Sequence, residues 1–259
     1  MKILFLGDVV ARTGRAAVVK RLAGLKHEYE ADFTVINGEN AAHGKGITVS
    51  IYRELTEAGA DVITLGNHAF SKSDIIAKFD ECPNLVRPAN MEPENIGRSW
   101  VIREVCGKRI AVVNILGSVF MQGASGESYP VMEKILDEID ADIILTDLHA
   151  EATGEKELFW FLFRKRLTAV IGTHTHVQTA DERIAEGCAY ISDAGMCGSF
   201  DSVLGRDSGE LIDRRNGNPT RYRPAESPAV ICGVLIETDD TTNRAVRIVR
   251  IQERPPEED

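Results

Sequence analysis

Five short stretches of this sequence carry side chains that bind metals or move protons: GDVV with Asp8, NGEN with Glu39 and Asn40, GNH with Asn67 and His68, LTDLHA with His149, and GTHTH with His174 and His176. Each follows an apolar run of strand type. Carboxylate, imidazole and amide oxygen together suit divalent ions such as Fe, Mn, Zn or Mg, and the lack of nearby thiolates argues against a structural zinc knot. A carboxylate between two ions about 3.5–4 Å apart lets them clamp both partners of a hydrolytic displacement at phosphorus. Such a centre also brings the pKa of a bound water towards neutrality, so no Ser or Cys nucleophile is needed.

Each residue has an ordinary alternative. Asp8 precedes a helix and could cap it. Asn40 and Asn67 could be turn formers in left-handed backbone, and His149 alone could be a half-exposed histidine. His174 and His176 would project to one side if the backbone there is extended. Five strand ends agreeing in residue type outweigh these separate readings. Elsewhere, His43 in AAHGKG could reach substrate but reads as a solvent-facing loop residue, and GKG lacks the spacing of a phosphate-cradling P-loop. His27 falls on a charged helix face. Ser118 has no G-x-S-x-G context, so a serine hydrolase is not indicated.

The elements that must position these residues follow a β-α rhythm. Strands are expected at 2–7, 32–38, 61–66, near 99–105 and 109–116, at 141–147, 167–172 and 188–194. A closing hairpin, 230–238 with 244–252, turns around DDTTN. Helices are expected from Thr13 to about Tyr29, around 48–58 and 72–79, and near 128–139 and 155–166. This is an α/β chain with a parallel or mixed sheet covered by helices and a ligand site at the carboxyl ends of the strands. No linker or repeat divides it, so residues 1–259 read as a single domain. Residues 195–228 lack periodicity and read as an irregular lid, binding loop or oligomer contact. The tail PPEED is expected to fray.

Composition narrows the partners. A net charge of −10 argues against a broad footprint on duplex nucleic acid and requires any small anionic substrate to find a local positive centre. The five cysteines have no C-x-x-C spacing and read as reduced, buried small hydrophobes. No segment reaches the apolar length of a membrane span, and MKILFLGDVV is too short for a secretory core with a cleavage site. A cytoplasmic protein is expected.

The motifs resemble those of the calcineurin-like metallophosphoesterase superfamily, whose order is GD-x-H, GD-x-x-N, GNH-[DE], a lone His and GH-x-H. The variant here, GDVV, NGEN, GNHAF, DLHA and GTHTH, is similar to the YmdB-type branch, bacterial 2′,3′-cyclic nucleotide 2′-phosphodiesterases. The similarity extends through YISDAGMCGS and DSVLG. Three departures from the superfamily pattern stand out: Val10 replaces a histidine, Glu39 followed by Asn40 replaces the bridging Asp, and Ala69 replaces the carboxylate after GNH, leaving open what orients His68.

The resemblance implies a sandwich of mixed β-sheets with helices on both outer faces. It implies a first metal held by Asp8, Glu39, Asn40 and His176, a second held by Glu39, Asn67, His149 and His174, and His68 as general acid. It favours iron, with manganese the alternative. The expected substrate is a small cyclic nucleotide or a short RNA end, opened to the 3′-phosphate, and a homo-oligomer is expected. The competing readings are a phosphomonoesterase or protein phosphatase, for which the arginines at 206–223 would have to meet substrate, and a metal-binding regulatory scaffold with incidental turnover.

Overall fold

A computed structural model describes residues 1–256. The part of the expected frayed tail at 257–259 lies outside the described residues. In chain order the elements are β1 (Lys2–Leu6), β2 (Asp8–Val9), α1 (Ala11–Glu28), β3 (Phe33–Asn37), α2 (Val49–Glu57), β4 (Val62–Thr64), α3 (Ser73–Lys78), β5 (Leu85–Val86), β6 (Trp100–Val105) and β7 (Lys108–Leu116). There follow α4 (Ser128–Glu138), β8 (Ile143–His149), α5 (Thr153–Phe163), β9 (Ala169–Thr173), β10 (Arg183–Ala185), β11 (Cys188–Ile191), β12 (Met196–Ser199), α6 (Ser208–Arg215), β13 (Ala229–Thr238) and β14 (Ala245–Glu253).

Two mixed sheets face each other. The first runs β2-β12-β13-β1-β3-β4-β5, with β14 added on β13; the second runs β10-β11-β9-β8-β7-β6. The strands that end at the expected site run parallel within each sheet: β1, β3 and β4 in the first, β7, β8 and β9 in the second. The β13–β14 hairpin is antiparallel, as its alternation requires.

Strand parity explains the layers, because successive side chains leave opposite faces. In β1, Ile3 and Phe5 enter the layer between the sheets, where they join Phe33, Val35, Val112, Leu145 and Ile171. Leu4 and Leu6 point outward under Val18, Leu22 and Leu25 of α1, Leu55 of α2 and Ile75 of α3. On the other side Val113, Ile115, Leu148 and Val170 pack against Met132 and Leu136 of α4 and Phe159, Trp160 and Phe163 of α5. Helices therefore cover both outer faces. Burying one such leucine or phenylalanine contributes about 1.5–3 kcal/mol, and three continuous layers of them hold the sandwich.

Within 195–228 lie β12 and α6. Helix α6 starts at Asp207, whose side chain accepts from the Glu210 N–H at 2.7 Å, and only Glu210 of its residues is buried. The cysteines divide: Cys82, Cys188, Cys197 and Cys232 are buried, whereas Cys106 is exposed, on a turn with φ +52°. The expectation that all five are buried is corrected by that turn, which holds Cys106 outside the sheet. Among the described residues no helix is long and apolar enough to cross a membrane.

Candidate metal centre

The parity that fills the inter-sheet layer also builds the site. The inward rows read Phe33, Val35, Asn37 in β3; Val62, Thr64 in β4; Ile110, Val112, Asn114 in β7; Ile143, Leu145, Asp147, His149 in β8; and Ala169, Ile171, Thr173 in β9. Every row is apolar until its carboxyl end, where a polar side chain takes over. These ends meet around Asp147, which is fully buried. It accepts from Asn37 Nδ2 at 2.9 Å and Thr173 Oγ1 at 2.6 Å, and also from Thr64 Oγ1. Asn37 Oδ1 in turn receives the Glu39 N–H at 3.0 Å.

The Thr173 hydroxyl has one proton and gives it to the carboxylate of Asp147, so its lone pair accepts from His149 Nδ1, 2.9 Å away. His149 thereby keeps its Nδ1 hydrogen on Thr173, and Nε2 is the ring nitrogen that faces the site. Around Nε2 stand Glu39 Oε1, Asn67 Oδ1 and His174 Nδ1, each at 3.1 Å. The ligating atoms of Glu39, His149 and His174 all lie within 4.8 Å of one another.

A second group adjoins the first through Glu39. Asn40 Nδ2 lies 2.9 Å from Glu39 Oε1 and 3.1 Å from His176 Nε2; a half-turn of the amide presents its oxygen to the same place. Asp8 Oδ1 is 3.8 Å from His176 Nε2. Asp8 Oδ2 accepts the His174 N–H at 3.1 Å, while Oδ1 is buried without a hydrogen-bond partner among the described residues. Helix capping is not the role of Asp8, since the residue before α1 is Val10 and no side chain caps it. Nor are Asn40 and Asn67 left-handed turn formers, being absent from the positive-φ residues.

The segment carrying the two histidines is not extended. His174 has φ +100° and His176 φ +68°, so the expectation that alternation puts both on one side is corrected. The two rings reach the site because the chain twists at each histidine, and Thr175 between them anchors the twist. Its N–H and hydroxyl both donate to Asp193 Oδ2 at 2.9 Å. Asp193 is itself held by Lys156 Nζ at 3.2 Å, both side chains being almost fully buried, and Lys156 also donates to the Thr173 carbonyl at 2.9 Å.

The electrostatics are those of a cation site. Burial raises the Asp8 carboxyl to about 6, against the pull of His176 and His149. Burial acts upward on Glu39 as well, but the adjacent His149 outweighs it and holds the carboxyl at about 2. Burial lowers His149, yet the Glu39 carboxylate prevails and carries it to about 9. His174 is pushed down to about 4 by burial and then by His149. Anionic Glu39, a neutral-leaning His174 and an orphaned Asp8 oxygen fit divalent ions, whose binding displaces protons from such ligands.

His68 lines the mouth of this cavity, which has a volume of about 460 Å³. Its N–H donates to Glu39 Oε2 at 3.2 Å, burial lowers its pKa, and its ring makes no hydrogen bond among the described residues. Ala69 is buried and does not reach the ring's surroundings as a donor or acceptor.

Seven participants escaped the reading of the sequence: Asn37, Thr64, Asp147, Lys156, Thr173, Asp193 and Glu151. Glu151 Oε2 stands 3.2 Å from His174 Nε2 on the cavity wall, and its signal was its place two residues after His149. Ser118 has a structural role, donating to Glu155 Oε1 at 2.9 Å. His43 is exposed, in a loop beside the cavity.

The sandwich and the clustered donors define a metallophosphoesterase, a hydrolase of phosphoric esters that works with divalent metal ions. The sequence model of one family, described as YmdB-like protein, matches residues 4–251. The chain is 45% identical over 254 residues to the 2′,3′-cyclic-nucleotide 2′-phosphodiesterase of Bacillus subtilis, covering 97% of this chain and 96% of that protein. It superposes with a TM-score of 0.92 at 35% identity on the crystal structure of a phosphatase from Mycoplasma pneumoniae, covering 98% and 93% of the two chains. A hypothetical protein from Thermus thermophilus gives a TM-score of 0.91 at 35% identity, covering 99% and 100%. The chain belongs to the YmdB-like family.

Proposed function

We propose that this protein hydrolyses 2′,3′-cyclic nucleotides to 3′-nucleotides at a two-metal centre. The observation that carries the reading is the meeting of Glu39, Asn67, His149 and His174 around one point, with Asp8, Asn40 and His176 on the other side of Glu39. The name of the Bacillus relative supports the substrate class. Asp8, Glu39, Asn40 and His176 would hold one ion, Glu39, Asn67, His149 and His174 the other. Iron is the favoured metal and manganese the alternative. When bound, the ions supply the Lewis acidity that polarises the phosphoryl oxygens and activates water.

The chain's own side chains do the rest. Water adds at phosphorus, the P–O2′ bond breaks, and the 3′ ester remains. His68, on the cavity wall and beside the Glu39 carboxylate, delivers a proton to the departing 2′ oxygen. Leu204 and Tyr222 give the wall apolar surface against which the nucleoside rests.

The test is a panel of 2′,3′-cyclic nucleotides, linear diesters and monoesters, run with metal analysis. A preference for the cyclic diester is expected; faster turnover of the monoester would replace the reading with that of a phosphomonoesterase. His68→Ala should lower kcat by about 10²–10⁴ with the metal content intact, and concurrent loss of metal would remove the proton-donor role. Glu39→Ala should empty both positions, and a variant that keeps two metals would refute the shared ligand.

A further inference from the structure

Beyond the metal centre the surface is basic in a chain whose overall charge is −10. The site cavity shares Lys45, Arg206 and Tyr222 with an adjoining cavity of about 650 Å³, which also carries His43, Lys72 and Arg214. That second cavity shares His43 and Lys72 with a third of about 390 Å³, which adds Arg12 and Arg15. Among the described residues no carboxylate lines the second or third cavity, although acidic residues outnumber basic ones 40 to 30.

We propose that this trough holds the phosphodiester backbone of an oligoribonucleotide whose 3′ terminus lies at the metal centre, so that RNA ends are preferred to free nucleotides within the cyclic-phosphate substrate class. The inference rests on the cyclic-phosphate reading above and deepens it.

A mononucleotide cannot use the trough. The site cavity alone already falls in the range of about 300–1,000 Å³ that accepts one small ligand, and a nucleoside cyclic phosphate carries its anionic group at the metals. Lys45, Lys72 and Arg214 beyond it would then have no anion to meet. A 2′,3′-cyclic phosphate can exist only at the 3′ end of a chain, so any further nucleotides leave through the 5′ oxygen, each bringing one negative charge. A row of unpaired cations meets that ligand. Among the described residues the side chains of Lys45, Lys72 and Arg214 form no ion pair, in contrast to Arg15, which pairs with Glu54 at 3.2 Å, and to Arg206, which Glu210 holds through Nε and Nη2.

The junction of the first two cavities is built rather than incidental. Tyr222 lies edge-on to His43, with ring centroids 6.0 Å apart, and the Arg206 guanidinium sits 5.0 Å from the Tyr222 centroid. Gly44, at φ +82°, permits the approach, since a Cβ there would fall 1.9 Å from Tyr222 Oη. A flat ring among cations is the arrangement that binds single strands by combining stacking with charge.

The test compares 2′,3′-cyclic AMP with a tetra-adenylate ending in a 2′,3′-cyclic phosphate, on wild type and on Lys72→Ala/Arg214→Ala. Both replaced residues line only the outer cavities, and neither is buried. The wild type should have a KM at least tenfold lower for the tetramer. The variant should raise that KM about tenfold while leaving kcat and KM for cyclic AMP unchanged. Its log KM against log salt slope for the tetramer should fall by about 1.4, the contribution of two phosphate contacts on a single strand. Equal KM values for the two substrates in the wild type, or a variant that treats the tetramer as wild type does, would overturn the proposal. Hydrolysis of neither substrate would instead defeat the cyclic-phosphate reading. Fluorescence anisotropy of a 5′-labelled tetra-adenylate 3′-phosphate then decides the trough by itself: weaker binding by the variant supports it, and equal binding refutes it.

Discussion

Replacing Lys156 by Met is the sharpest test of how the histidine segment is held. The variant fills similar volume and leaves Asp193 buried without its cation, 3.2 Å away in the native protein. At that distance and an effective dielectric of 20, the attraction lost is about 5 kcal/mol before the cost of burying the lysine is recovered. Removing one partner of a buried pair typically costs about 3–5 kcal/mol. Asp193 retains donors from Thr175 N, Thr175 Oγ1 and Gly195 N at 2.9, 2.9 and 2.8 Å, so the lower figure, about 3 kcal/mol, is expected. Two histidines in left-handed backbone cost about 2–4 kcal/mol together. The lock and the strain are thus comparable, and weakening the lock should release the histidines. Urea unfolding followed by the fluorescence of buried Trp160 should show the loss of stability, with a fall in Tm of roughly 6–12 °C for a chain of this size. Metal affinity should fall in parallel. The double variant Lys156→Met/Asp193→Asn should be less destabilised than the two single losses added, because it leaves no unpaired buried charge. A Lys156→Met protein within about 1 kcal/mol of wild type, or strict additivity in the double variant, would refute the reasoning.

Three further outcomes follow from the geometry. Thr173→Val removes both the donor to Asp147 and the acceptor for His149 Nδ1, and should weaken metal binding about 10–100-fold in calorimetry; unchanged affinity would show that the His149 tautomer is fixed in another way. Gly66→Ala would put a Cβ 2.2 Å from Glu39 Oε2 and 2.4 Å from His149 Nε2, so the variant should keep its circular dichroism spectrum and lose bound metal. A thiol reagent should modify Cys106 alone in the native protein, because burial pushes the Cys82, Cys188, Cys197 and Cys232 thiols up; rapid reaction of a second cysteine would contradict the packing.

The strands and most helices were legible because their apolar residues repeat at the periods of strand and helix, and the metal-type residues were legible because each closes an apolar run. What supports them was not. Asp147 and Thr173 look like strand residues until five rows are aligned across two sheets, and only the sheet order does that. Asp193 reaches Thr175 from 18 residues away, beyond any local pattern. The left-handed backbone of His174 and His176 has no sequence signature, since neither residue is glycine. Helix α6 was hidden for another reason: with Glu210 its only buried residue, it has no apolar stripe, and its one signal is the Asp207-to-Glu210 capping pair.

The strand order also sets a schedule for the making of the protein. Asp8 sits in β2, whose neighbour is β12, and β1 lies between β3 and β13, reached only at residues 229–238. Synthesis therefore passes all the proposed ligands, the last being His176, before β12 and β13, which flank β2 and β1, have been made. Long-range pairing of this kind is slow, and the nascent chain holds an unfinished sheet edge while the βα units of the second sheet can already form. The seating of Asp8 beside the other proposed ligands is thereby tied to the synthesis of β12 and β13, whereas the strands that carry Glu39, Asn67, His149 and His174 pair without them.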